Sequence, residues 1–292
     1  MSSLTPPFDD RDGFIWLDGQ LVDWRSANIH VLTHALHYGS AVFEGERAYG
    51  GKIFKVEDHN ARLVRSAAIL DMEVPYDTQT LTDARYAVIK ANGTPDCYLR
   101  PLVWRGSEVM GIAAQGTKIH VMIAAWVWAS YYSPEKAAQG LRLCSTKWKR
   151  PSPDTAPIQA KASGGYMLGT IAKHAAMAAG YDDAIMLDYK DRVAEGTGAN
   201  LFMIKGGVLY TPPTECSLNG ITRLTTIDMA RGMGYTVEEK FFGYDELVHA
   251  DEVFLTGTAA ELQAVGEIDD HKIGVGPITT AMKTAYAELV RK

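Results

Sequence analysis

The run AKASGGYML, residues 160–168, sets Lys161 between alanines just before a glycine pair, ahead of an expected helix. Alone, such a lysine reads as a surface loop residue. In a low-dielectric pocket its amine becomes a nucleophile able to form a Schiff base. The glycines would let the backbone approach a bulky ligand. VAEGTGANLF, residues 193–202, puts Glu195 in a small-residue cluster at a strand end, by itself a turn with a solvated acid. In LNGITRLTTIDMA, residues 218–230, Asn219-Gly220 is a turn and Thr222 is placed to enter a helix. This is an ordinary cap geometry. It also suits a phosphate, because N–H groups and the positive dipole end are exposed there. EVFLTGTAAEL, residues 252–262, runs a buried strand into Thr256-Gly257-Thr258-Ala259-Ala260. That turn either joins two strands or offers hydroxyls and N–H groups to an anion. THALHYGSAVFEG, residues 33–45, carries His34 and His37 at i, i+3. With no third ligand at useful spacing and no H-E-x-x-H, no metal site is expected and the histidines read as structural. Tyr38 and Phe43 are aromatics able to line an apolar pocket.

The elements that must position these residues form two regions of mixed strand and helix. FIWLDGQLVDW reads as a hairpin turning at Asp18-Gly19, since Asp-Gly supplies positive φ. AVFEGERAY, Gly50-Gly51 and KIFK read as a second. VEDHNARLVRSAAIL repeats Val56, Leu63, Ala67 and Leu70 at helical spacing, and residues 79–91 read as another helix. CYLRPLVW and KIHVMIAAWVW are strong strands. Residues 131–140 form a connector with a short helical turn. Beyond it come the strand LRLCSTKW, the proline-rich loop RPSPDTAP and a helix near 166–179. The strands DAIMLDY, ANLFMIKG, VLYTPP and DEVFLTG follow, with helices at 222–233 and 277–290; Pro277 suits a first helical turn. The boundaries are therefore a smaller domain at 1–130, a connector at 131–140 and a larger domain at 141–292. Antiparallel pairing dominates, and the β-α-β-α alternation of a doubly wound sheet is absent.

Of the 292 residues, 47% are hydrophobic and 22% charged, as in an average soluble protein. A net charge of −6 without a basic stripe argues against a nucleic-acid partner. MSSLTPPFDDRDGF lacks the basic and apolar regions of a secretory signal. The most apolar stretch, HVMIAAWVWA, is ten residues long, too short for a bilayer. Cys97, Cys144 and Cys216 contain no C-x-x-C, which fits a reduced cytoplasmic protein. No G-x-G-x-x-G follows a strand with an acid about 20 residues on, so a nicotinamide dehydrogenase is poorly supported.

HALHYGSAVFEG, YLRPL, AKASGGY, EGTGANLF, NGITR and TGTAAE occur in this order along the chain. Together they resemble the fold-type IV pyridoxal-phosphate enzymes, most closely the branched-chain amino-acid aminotransferases, from FIWLDG to DEVFLTGTAAE. The resemblance implies an α/β fold of α+β type, D-amino-acid aminotransferase-like, with pyridoxal 5'-phosphate between two mixed domains. It makes Lys161 the catalytic lysine that bonds the cofactor and shuttles the proton. Tyr166 matches the tyrosine beside the phenolic oxygen. Glu195 matches the acid whose charge keeps the ring nitrogen protonated, so that the ring is an electron sink. Arg62, Ile221, Thr222 and Thr258 match phosphate ligands, Gly220 lies in their loop, and Leu218 matches the residue packed on the ring. Thr258 and Ala259, with Tyr98, match the site of the substrate α-carboxylate. Tyr38, Phe43, Trp128 and Tyr131 match the side-chain pocket, and Arg100 the partner of the distal carboxylate of glutamate. An aromatic pocket gains roughly 1.5–3 kcal/mol from burying a Leu, Ile or Val side chain.

The implied reaction is ping-pong transamination of L-leucine, L-isoleucine and L-valine with 2-oxoglutarate, through pyridoxamine phosphate. D-amino-acid aminotransferases, 4-amino-4-deoxychorismate lyases and amine transaminases share Lys161 and Glu195; a relative that had lost the chemistry would not be expected to keep both. The family also implies a homodimer or higher homo-oligomer. Three departures bear on specificity. Glu46 stands where many relatives are apolar and would put a charge near the pocket entrance, Trp104-Arg105 is bulkier and more charged than expected, and Ser163 replaces a common glycine.

Overall fold

The computed structural model describes residues 6–128 and 134–292. They form two compact units, Met1–Ala129 with Ala160–Gly164, and Ser130–Gln159 with Gly165–Lys292. The lysine segment thus groups with the first unit although it lies in the second half of the chain.

In the first unit, β1 (Phe14–Leu17) and β2 (Gln20–Asp23) form a hairpin whose turn residues Asp18 and Gly19 have φ of 47° and 101°. Then come α1 (His34–Tyr38), β3 (Ala41–Phe43), β4 (Glu46–Tyr49) and β5 (Lys52–Ile53). They are followed by α2 (Val56–Ile69), α3 (Thr78–Asn92), β6 (Cys97–Arg105) and β7 (Ile119–Trp126). The seven-stranded sheet runs β2-β1-β7-β6-β4-β5, and β3 also pairs with β6. Leu63 and Ala67 of α2 and Leu81 and Val88 of α3 pack on Leu99, Val103, Val121 and Ile123 of the sheet, forming the core. Asp77 caps α3 through its bond from the Thr80 N–H at 2.7 Å, and Gly93 ends it in the left-handed conformation.

β6 holds β4 along one half, with Glu46 opposite Leu99, and β3 along the other, with Phe43 opposite Leu102. Glu44 and Gly45 step between the two pairings. The other edge of β3 takes the lysine segment: Val42 bridges Ala162, and the Phe43 N–H donates to the Lys161 carbonyl at 3.0 Å.

Two of the departures noted in the sequence turn out to be structural. Glu46 is not a charge at a pocket entrance. It is fully buried and gripped by the fully buried Arg85 of α3, with Nε and Nη2 each 2.8 Å from a carboxylate oxygen. A buried charge needs such a partner, and Arg85 is one helix away. Arg105 is also buried and donates to the carbonyls of Ala114, Leu70 and Asp71 at 3.0, 3.1 and 2.7 Å, stapling a loop to the end of α2. Trp104 is buried and stacks on His120.

In the second unit, α4 (Pro134–Gln139) leads into β8 (Leu141–Ser145). A 3-10 turn at Ser163–Tyr166 precedes α5 (Met167–Ala178), then β9 (Asp183–Leu187), β10 (Val193–Gly196), β11 (Asn200–Lys205) and β12 (Val208–Thr211). The chain continues through α6 (Ile221–Gly232), β13 (Val237–Glu239), α7 (Tyr244–Val248), β14 (Glu252–Gly257), β15 (Glu261–Ile268), β16 (His271–Lys272) and α8 (Pro277–Leu289). The nine-stranded sheet runs β10-β9-β8-β15-β14-β11-β12-β13, and β16 pairs β15. Its pairs are antiparallel except β15–β8, β8–β9 and β12–β13. Leu143, Ile185, Leu201, Leu255 and Val265 centre one core. Pro277 opens α8, whose next two N–H groups are taken by the buried Glu252 carboxylate. No helix among the described residues is long and apolar enough to cross a membrane.

Breaking the Glu46–Arg85 pair with Glu46→Gln or Arg85→Met should cost about 3–5 kcal/mol of unfolding free energy. The double change Glu46→Leu with Arg85→Met should recover most of it, as read by urea denaturation.

Candidate active site

Within the first unit, Lys161 is held by its backbone on two sides. Its carbonyl accepts from β3, and its N–H donates to the buried Ser66 hydroxyl of α2 at 3.0 Å. Its Nζ lies 4.7 Å from the centre of the Phe43 ring, so the half-buried amine stands over an apolar face. The Arg100 guanidinium is 4.6 Å from the same ring, and its Nη2 donates to the Tyr98 hydroxyl at 3.0 Å. An arginine only donates, so the Tyr98 oxygen is the acceptor and its own proton is aimed elsewhere. Trp126 and Trp128 flank the Tyr98 ring at 5.2 and 5.3 Å. Lys161, Phe43, Tyr98, Arg100 and Trp128 are thus brought together. Tyr38 stands apart in its contacts, exposed and stacked on His34. Tyr131 lies outside the described residues.

Arg62, on the buried face of α2, is anchored by a residue the sequence reading passed over. The Glu44 carboxylate, fully buried, accepts from Arg62 Nε at 2.6 Å, from Arg62 Nη2 at 2.8 Å and meets His59 Nδ1 at 2.7 Å. Burial alone would raise the Glu44 carboxyl. The Arg62 charge, the Arg62 hydrogen bonds and His59 outweigh it and hold the group well below the usual carboxylate range. The signal was the acid of FEG, immediately before the glycine. Glu44, Glu46 and His59 lie close enough together for a metal, yet Arg62 and Arg85 already neutralise the two acids. Of the histidines at i, i+3, His34 bonds Ser40 and the Gly111 carbonyl, and His37 the Val31 carbonyl.

Within the second unit, Glu195 is buried on β10, opposite Met186 of β9. The register slips between Val193 and Glu195, a bulge that re-aims the carboxylate. Arg150 Nε is 2.9 Å from one of its oxygens and Asn200 Nδ2 3.4 Å from the other. The Asn200 amide also donates to the Leu218 carbonyl at 3.0 Å. Helix α6 begins at Ile221, not Thr222: Gly220 is the N-cap, without a side-chain cap bond, and Ile221 and Thr222 are buried. Buried Arg223 sets this loop by donating to Asn219, to the Pro212 carbonyl and to Glu239. Thr258 and Ala259 form the half-buried turn between β14 and β15, braced by Gln263 Nε2 on the Ala260 carbonyl at 2.7 Å. Tyr166 is half-buried at the entry to α5. Arg150 and Asn200 had no role in the sequence reading, although both stand in motifs it quoted.

The second unit holds a buried acid linked by Asn200 to the loop entering α6, and the first unit holds a lysine over an aromatic ring. The family model for amino-transferase class IV matches residues 41–268, and the chain belongs to that family. Within it, the chain is similar to branched-chain-amino-acid aminotransferases. That of Pseudomonas aeruginosa is 45% identical over 288 residues, covering 96% of this chain and 94% of the relative. That of Escherichia coli K12 is 39% identical over 282 residues, covering 94% and 91%. The solved T.th. branched-chain amino acid aminotransferase with pyridoxamine 5'-phosphate superposes with a TM-score of 0.93 at 40% identity, covering 97% of this chain and 96% of that one.

Because its folded-state value is depressed, Glu44 contributes stability that is fully present above the ordinary glutamate value of about 4.3 and is lost as pH falls further. Glu44→Gln should therefore be less stable than the parent at neutral pH, and the gap should narrow progressively in acid. Thermal unfolding followed from pH 7 downward reads this; a gap independent of pH would contradict it.

Proposed function

We propose that the protein transaminates L-leucine, L-isoleucine and L-valine with 2-oxoglutarate, giving the branched-chain 2-oxo acids and L-glutamate, with pyridoxal 5'-phosphate as cofactor. The observation that carries this is the 45% identity, over nearly the full length of both chains, to a branched-chain-amino-acid aminotransferase. A solved relative at 39% identity carries N-(5'-phosphopyridoxyl)-L-glutamate, a cofactor joined to the acidic substrate.

The residues present fit that cofactor. Glu195 supplies a buried charge for a ring nitrogen. The start of α6 has its N–H groups and dipole end for a phosphate, with no side-chain cap at Gly220 and no acid in its first turn. Thr222, Thr258 and Arg62 add donors for the phosphate, and Leu218 an apolar contact for the ring. When bound, the cofactor draws electrons away from the substrate α-carbon. Lys161 would hold the cofactor, and its Nζ, once free, would take the proton from the substrate α-carbon and return it. Tyr166 orients the phenolic oxygen. The Tyr98 proton, aimed away from Arg100, and the N–H groups of Thr258 and Ala259 hold the substrate α-carboxylate. Phe43 and Trp128 receive an aliphatic side chain. Arg100, already over an aromatic face, meets the distal carboxylate of glutamate without charging the whole pocket.

The same reading includes a homodimer or larger homo-oligomer in the cytoplasm. Its support is an apolar surface on the first unit, where Val31 and Ile112 are 72% and 86% exposed, with Ile29, Leu32, Leu36 and Met110 also exposed. His34 ties these two loops together, its N–H donating to the Gly106 carbonyl and its ring meeting the Gly111 carbonyl, each at 2.8 Å. A patch of this kind is unusual on a monomer.

Borohydride reduction of the holoprotein followed by peptide mapping should find the pyridoxyl group on Lys161, and turnover of the three branched-chain substrates with 2-oxoglutarate should be present and vanish in Lys161→Ala. A pyridoxyl group on another lysine, or no turnover, overturns the reading. Arg100→Met should raise KM for 2-oxoglutarate by about 10- to 100-fold while leaving KM for leucine within a few-fold, since a charge-assisted bond is worth about 1.5–3 kcal/mol. Sedimentation equilibrium should give at least a dimer, and Val31→Asp with Ile112→Asp should shift it toward monomer.

A further inference from the structure

We propose that Arg150 and Asn200 are a pair of positioning residues that keep Glu195 charged and correctly turned toward the cofactor's ring nitrogen. The proposal rests on the reading of Glu195 given above.

One oxygen of Glu195 is ion-paired with Arg150, whose Nε lies 2.9 Å away, and the other accepts from Asn200 Nδ2 at 3.4 Å. A cation at one oxygen and a donor at the other set the plane of the carboxylate. Arg150 is itself fixed. Its N–H donates to the Leu187 carbonyl at 2.8 Å and its backbone bridges Asp188, at the end of the strand that pairs with β10. Its Nε is also 3.4 Å from the Cys216 carbonyl. The pair also decides where a shared proton rests. A proton passing from the ring nitrogen to Glu195 would leave the partly buried guanidinium beside a neutral acid, which is costly. Arg150 therefore keeps the proton on the ring.

Asn200 does a second task. One amide nitrogen reaches both Glu195 and the Leu218 carbonyl, so it ties the ring-nitrogen acid to the loop that enters α6. Its oxygen occupies the space a Cβ on residue 220 would fill. Gly220 has φ −67° and ψ 134°, a conformation open to any residue. Glycine is required there for room, and the group taking the room is Asn200.

The test titrates the apoproteins with pyridoxal 5'-phosphate and with its carbocyclic analogue, in which C–H replaces the ring nitrogen. Parent protein should prefer the cofactor over the analogue by about tenfold or more, the value of one charge-assisted bond. In Arg150→Met and in Asn200→Ala the preference should collapse toward unity, and Arg150→Lys should restore part of it. Gly220→Ala should lower the preference too, and adding Asn200→Ala to it should cost little more. A merely structural role would weaken both ligands equally and leave the ratio alone, and an unchanged ratio in these variants overturns the proposal. Absence of any preference in the parent would overturn the reading of Glu195 instead. Thermal unfolding of each apoprotein identifies variants that do not fold; Arg150→Lys and Gly220→Ala, the smallest changes, carry the measurement in that case.

Discussion

Strand β3 is three residues long and both of its edges are used. One edge lies on β6, and the other takes the backbone of the lysine segment through the Val42–Ala162 bridge and the Phe43–Lys161 hydrogen bond. This pairing carries Lys161 from the middle of the chain onto the N-terminal sheet and puts its amine over the Phe43 ring. Phe43 is also the ring beneath Arg100. A single short strand therefore relates the Lys161 amine to the residues read as choosing the substrate. Without the pairing, Lys161 is a loop lysine.

The step from β3 to β4 has a second consequence. As the chain crosses from one half of β6 to the other, it turns Glu44 and Glu46 inward, where each must find a cation. Arg62 and His59 meet the first from α2, and Arg85 meets the second from α3. Buried pairs of this kind add little net stability compared with apolar packing, but they tolerate few alternatives, because either partner alone is expensive. For Arg62 the gain is orientation: a guanidinium held by two bonds to one carboxylate has its plane fixed.

The second unit solves a different problem, how to keep an acid charged inside a sheet. The bulge before Glu195 turns the carboxylate, and the Arg150 charge and the Asn200 amide make its burial tolerable. The same asparagine reaches the loop before α6. The elements proposed for the ring and for the phosphate are thereby linked through one side-chain amide.

Much of this was legible in residue order. The Asp18-Gly19 hairpin, α2, α3, β6, β7 and the helix at Pro277 follow from turn chemistry and periodicity, which are local properties. Lys161, Glu195, Phe43, Tyr98 and Arg100 could be singled out because their motifs stand in a family order. β15 was missed because Gln263 and Glu267 interrupt its apolar pattern, although it lies between β8 and β14 in the sheet. Glu46 was misread for a related reason: sequence records a charge and not what neutralises it. Its partner Arg85 lies 39 residues on, at no local spacing, and only the packing of α3 against β4 brings the two together. The sequence by itself singled out the groups proposed for the chemistry. Tertiary structure decided the unit to which Lys161 belongs, the partner of each buried charge and the reason residue 220 is glycine, because each depends on a contact between distant segments.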